Sequence, residues 1–98
     1  MNEFKFKLHL WRWKGPAAWY FVTVPKKESE TIRKYFGEVK RSWGSLPVKA
    51  MIGKTRWETS IFPDRKLGAY LLPVKSEIRK IEKLNDGDRV QVTITVRM

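Results

Sequence analysis

A chain of 98 residues, 42% hydrophobic and 32% charged, has material for one folded domain (1–98) with one core, which excludes a disordered or fibrous protein. With no cysteine and a single histidine, disulfides, thiolate metal sites and a cysteine nucleophile are excluded, which fits a reducing cytoplasm. The 21 Lys and Arg against 10 Asp and Glu leave a net charge of +11, and residues 1–56 carry +9 of it, so the charge favours polyanionic partners.

From Glu3 to Leu10 the chain alternates, with Phe4, Phe6, Leu8 and Leu10 on one face and Lys5, Lys7 and His9 on the other. A period of two marks a half-buried strand. At Trp11 the pattern swaps faces, which predicts a bulge or the strand's end there. Gly15-Pro16 signals a turn, and Ala18 to Val24 reads as a second strand, hairpin partner of the first, with Trp19 in the core. Pro25 ends that strand and suits the start of a helix over about 26–36, with Ile32, Tyr35 and Phe36 inward and Gly37 as its cap.

After a basic connector, Lys40 to Ser45, a third strand runs from Val48 to Ile52. Gly53-Lys54 reads as a tight turn into a fourth strand, Thr55 to Phe62, with Trp57 in the core. A polar loop leads to a fifth strand, Ala69 to Pro73, and then a second short helix over about 75–84 with Ile78, Ile81 and Leu84 on one face. Asn85-Asp86-Gly87-Asp88 is a turn. The last strand is the clearest, with Val90, Val92, Ile94 and Val96 on one side and Arg89, Gln91, Thr93, Thr95 and Arg97 on the other.

Six strands and two short helices cannot make a doubly wound fold, which needs crossover helices on both faces of a parallel sheet. The pattern predicts a mainly β protein, a small six-stranded β-barrel or pseudo-barrel with two short helices. Strand, proline, helix and strand occur twice. Val22-Thr23-Val24-Pro25 leads through Ile32-Arg33-Lys34, and Tyr70-Leu71-Leu72-Pro73 leads through Ile78-Arg79-Lys80. Such an echo is what a duplication with approximate twofold symmetry would leave, and chance explains it equally well in so short a chain.

No catalytic constellation is visible. His9 falls among lysines on an outer strand face, no carboxylate pair is placed by spacing, and a Ser60–Lys75 pairing has no signature. Asp86 and Asp88 flank Gly87 without the remaining ligands of a calcium loop, so no metal site and no cofactor are expected. Trp43-Gly44-Ser45-Leu46-Pro47 has one glycine and is no phosphate loop. Trp11, Trp13 and Trp43 do stand beside Arg12, Lys14 and Arg41, an interleaving of rings and cations that suits single-stranded nucleic acid, although large rings also fill small barrels.

Several ordered blocks resemble a bacterial family, the domain of unknown function numbered nineteen-oh-five. They are Trp11-Arg12-Trp13, Trp19 to Pro25, Trp43 to Val48, Thr59 to Pro63, Gly68 to Lys75, Ile78-Arg79-Lys80 and Asp86 to Val92. The resemblance covers about Phe6 to Val96 and implies a small β-barrel, standing alone or joined to a bacteriocin-protection domain. It transfers no catalytic or binding residue. The final third, Leu72-Pro73 through the alternating valines, is also similar to swapped-hairpin domains of the AbrB and MazE type, though the first half lacks their Gly-Asp turn.

The expected protein is a non-enzymatic cytoplasmic binding module, a monomer or weak homodimer with no membrane association, whose partner is nucleic acid or another polyanion. Arg41, Lys49, Lys54 and Arg56 would contact phosphate and Trp43 would stack, with Lys5 and Lys7 extending the track. One alternative is a small-ligand or peptide pocket at a barrel mouth, lined by Arg12, Trp13, Phe62 and Tyr70. Another is an accessory protein-interaction domain.

Overall fold

Alternation becomes a closed wall in the computed structural model, which describes residues 2–37 and 44–97. The elements are β1 (Glu3–Arg12), β2 (Tyr20–Thr23), α1 (Lys26–Phe36), β3 (Leu46–Ile52), β4 (Thr55–Asp64), β5 (Ala69–Pro73), α2 (Ser76–Glu82) and β6 (Arg89–Val96). All neighbours are antiparallel, and the strands close in the order β1-β2-β5-β4-β3-β6. On β6 the side chains of Val90, Val92, Ile94 and Val96 are buried while Arg89 and Gln91 are exposed; on β3 Leu46, Val48, Ala50 and Ile52 are buried. Together with Phe6, Leu10, Val22, Trp57, Ile61 and Leu72 they form one continuous interior.

The wall has two corners. β1 pairs with β6 from Glu3↔Thr95 to His9↔Arg89, then with β2 from Leu10↔Val22 to Arg12↔Tyr20. β4 pairs with β3 as far as Leu46↔Ile61, then with β5 from Phe62↔Leu71 to Asp64↔Ala69. The face swap at Trp11 is therefore neither the strand's end nor a slip in pairing. The strand runs on to Arg12 after changing partner, and Arg12 is exposed where the sequence pattern would place an inward residue. The turn Asn85–Asp88 secures this corner: Leu10 N–H donates to Asp88 O (2.8 Å), and Gly87 N–H donates to Leu10 O (2.7 Å).

Four expected core side chains divide differently. Trp57 is buried opposite Ala50, as anticipated. Trp19 is 51% exposed, because β2 begins at Tyr20 and its inward residues are the even-numbered ones. Tyr35 is exposed because α1 buries the stripe Ser29, Ile32 and Phe36, and the next-door residue points about a quarter-turn away. Ile81 is likewise exposed; the short α2 buries only Ile78 and stops at Lys83 in the left-handed conformation (φ 55°), before Leu84. Gly37 is the C-cap of α1, as expected; it keeps helical geometry (φ −66°), and its N–H donates to Arg33 O (2.9 Å). Lys40, Arg41, Ser42 and Trp43 lie outside the described residues.

The repeat seen in the sequence is built into the topology. Exchanging β1 with β4, β2 with β5 and β3 with β6 leaves the strand order of the barrel unchanged. The hydrogen bonds Val24 N–H to Tyr70 O (2.8 Å) and Val74 N–H to Tyr20 O (2.9 Å) are exchanged by the same operation. This sets the correspondence at 50 residues, with α1 starting at Lys26 and α2 at Ser76. The alignment of Pro25 with Pro73 read from sequence is thereby corrected: Pro25 precedes α1, whereas Pro73 lies within β5 opposite Phe21.

Candidate functional site

Period-two alternation puts every second side chain of a barrel strand outside. On the sheet β1-β6-β3-β4 those outer positions line up in register as Glu3–Thr95–Lys49–Glu58 and, one step along, Lys5–Thr93–Met51–Arg56. Lys7 opposite Gln91, and His9 opposite Arg89, continue the same face. At strand spacings of about 4.8 Å, Lys5 and Arg56 are about 14 Å apart with Thr93 and Met51 between them. A shallow groove of ≈ 470 Å³ runs over Thr93, Thr95 and Met51 and is edged by Glu3, Lys49, Arg56 and Glu58.

The two acids of this face are each met by a cation. Arg97 pairs with Glu58 at 2.8 Å, and Lys5 approaches Glu3 at 4.0 Å. Lys7, Lys49, Arg56 and Arg89 are exposed and form no ion pair among the described residues. Lys54 sits in the β3–β4 hairpin turn at the edge of the face. Five cations selected from sequence, Lys5, Lys7, Lys49, Lys54 and Arg56, are thus brought together. Arg89 and Arg97 were missed as part of the patch, although their outward positions, on β6 and one residue past its end, were legible. Arg41 and Trp43 lie outside the described residues.

The aromatic residues go elsewhere. Trp11, Phe21 and Trp19 form a ladder beside the other sheet, β1-β2-β5-β4, with ring centroids 5.2 Å and 5.9 Å apart. The Trp11 indole N–H donates to Thr23 Oγ1 (2.9 Å). Trp13 folds over Gly15, where a Cβ would fall inside its ring. The Trp11–Phe21–Trp19 ladder and the free cations Lys7, Lys49, Arg56 and Arg89 therefore lie on different sheets.

The proposed barrel-mouth pocket is not assembled. Phe62 faces outward on β4 at 38% exposure, whereas Tyr70 is buried and shares the inward parity of Leu72. Arg12 and Trp13 lie at the exposed end of β1, and the cavity that does open nearby is lined by none of these four. The Asp86 and Asp88 carboxylates serve the backbone: Asp86 Oδ1 accepts from Arg12 N–H (3.2 Å), and Asp88 Oδ2 accepts from Asn85 N–H (2.8 Å). His9 is exposed on the cationic face.

A closed six-stranded antiparallel barrel with two helices, its outer surface cationic on one sheet and aromatic on the other, defines the class: a small β-barrel domain. The chain belongs to the DUF1905 family, a domain of unknown function, whose family model matches residues 6–94 and so takes in part or all of every strand. No curated protein matches the chain.

Proposed function

We propose that this barrel is a binding module for polyanions, nucleic acid foremost, which lie across the outer face of β1-β6-β3-β4. The observation that supports this most is the gathering of Lys7, Lys49, Arg56 and Arg89, none of them ion-paired among the described residues, on one face. Unpaired exposed cations cost nothing to keep in water and release counterions when they meet phosphates. Thr93, Thr95 and Gln91 between them supply neutral donors of the kind that position a phosphate backbone. Among the described residues this face exposes no Trp, Tyr or Phe ring and only the His9 imidazole, so contacts go chiefly to phosphate and the preference for base sequence is weak.

Fluorescence anisotropy with labelled 20-mer oligonucleotides over a salt series tests this. With four or five phosphate contacts, log K should fall with log salt at a slope of about −3 to −4 for a single strand. Lys49→Glu with Arg56→Glu should weaken binding by about tenfold or more and flatten that slope by at least about 1. Lys26→Glu with Lys27→Glu, an equal charge change on α1, serves as the control. Equal losses from the two double variants, or equal retention of a neutral polymer at low salt, would reject the proposal.

A further inference from the structure

The halves of this barrel correspond residue for residue around their helices, and at one position they part company. Ser29 and Arg79 are each the fourth residue of their helix. Each binds the carbonyl five residues earlier: Ser29 Oγ donates to Val24 O (3.0 Å), and Arg79 Nε donates to Val74 O (3.2 Å). In the first half the short side chain is fully buried, its Oγ also accepts from Tyr70 N–H (3.0 Å), and Tyr70 is sealed at 3% exposure.

The second half stays open. A guanidinium cannot be buried as a hydroxyl can unless an anion joins it. Arg79 instead lies over the Tyr20 ring, 3.8 Å from its centroid, and Tyr20 is only half-buried. Beside it a cavity of ≈ 460 Å³ opens between Trp57–Thr59 of β4 and the β5–α2 junction. Its origin is the corner in β4, whose pairing with β5 begins only at Phe62↔Leu71.

Three features suit this cavity to a ligand. Arg79 is held by the ring beneath it and by its Nε bond, while its two terminal nitrogens meet no protein acceptor among the described residues. A fixed guanidinium fork with free donors matches the two oxygens of a carboxylate or phosphate. Trp19, backed by Phe21, supplies an exposed flat wall, and Lys75 adds a second cation. Glu58, which also lines the cavity, is already paired with Arg97. The volume suits a small molecule.

We propose that this cavity binds a small planar molecule carrying one carboxylate or phosphate, its anion on Arg79 and Lys75 and its ring against Trp19. The site adjoins the cationic sheet face at Trp57 and Glu58 but uses different cations, Arg79 and Lys75, and does not depend on that face. The test is ¹⁵N–¹H correlation NMR on the whole chain, titrated with indole-3-acetate and phenyl phosphate, and with indole-3-acetamide and phenol as uncharged counterparts. Saturable shifts are expected at the Trp19 indole N–H and at Arg79 Nε, with the charged probes at least tenfold tighter than the neutral ones. Whichever charged probe binds tighter distinguishes carboxylate from phosphate.

Arg79→Ser, which copies the first half, should lower that affinity at least tenfold. Arg79→Lys, which keeps the charge but not the fork, should lower it several-fold, and Trp19→Ala, a change at an exposed side chain, should do the same. Shifts confined to the β1-β6-β3-β4 face, equal binding of charged and neutral probes, no saturation with either anion, or an undiminished affinity in dispersed, folded Arg79→Ser would each overturn the proposal.

Discussion

Burial acts on Tyr70 as a chemical constraint. Taking the phenol out of water disfavours its ionised form and raises its pKa above the ordinary 10.0, and the nearby Arg33 guanidinium pulls it back only in part. A raised folded-state pKa means that the unfolded chain ionises first. The contribution is whole below pH 10 and is lost as pH rises through the higher folded value. Urea denaturation at pH 8 and pH 11 should therefore show wild type losing more stability across that interval than Tyr70→Phe, the lysines being common to both. An equal loss in the two proteins would remove this account. The same scale shows what alternation leaves undecided. Trp19 and Trp57 are both odd-numbered strand-region tryptophans, yet one is exposed and the other buried. A period of two separates the faces of one strand without saying which face of that strand meets the interior.

Between elements, α2 fastens the β3–β4 hairpin. Glu82 Oε2 accepts from Thr55 Oγ1 (2.5 Å) and, more weakly, from Lys54 N–H (3.4 Å). Its carboxylate also occupies the space that a Cβ on Gly53 would need, and Gly53 has φ +59°. A positive φ at the first of two loop residues, between Ile52↔Thr55, is what a tight hairpin turn requires. Gly53→Ala should thus cost about 1–3 kcal/mol from strain and crowding. Glu82→Ala should cost about 1–2 kcal/mol by removing charge-assisted hydrogen bonds. Chemical denaturation of the two single variants and the double variant checks both figures. The double variant should lose less than the sum, since removing Glu82 relieves the crowding at residue 53; full additivity would mean the two do not meet. The Gly-Lys turn was legible from sequence. The clamp was not, because the 27 residues from Thr55 to Glu82 are bridged only by the fold.

At the scale of the whole molecule, each half gives its last strand to the other. Among the described residues β3 pairs only with β4 and β6, and β6 pairs only with β1 and β3. Neither half can close its own wall, so the interior should be lost in one step. Leu10 and Ile61 occupy corresponding corners, and both are fully buried. Leu10→Ala and Ile61→Ala should each destabilise by about 2–5 kcal/mol, the usual cost of such a core truncation. Each should move a single, coincident transition seen by tryptophan fluorescence and far-ultraviolet circular dichroism. Separate transitions for the two halves would contradict the interleaving.

Side-chain periodicity is a local property, so the strands of Phe4–Leu10, Val48–Ile52 and Val90–Val96, their turns and the barrel class could be read along the chain. The outward placement of Lys5, Lys7 and Lys49 follows from the same alternation. Which strands become neighbours is decided by hydrogen bonds between residues far apart in the chain, such as Lys5↔Thr93 and Lys49↔Thr95, and no local pattern records them. The tertiary structure alone therefore decided that these cations share one face while the tryptophans beside Arg12 face elsewhere. It alone decided, too, that Ser29 and Arg79 are counterparts, one sealing its half of the barrel and the other leaving its half open. Alternation is set by the geometry of a single strand, whereas closure is set by which strands can satisfy one another's backbone groups.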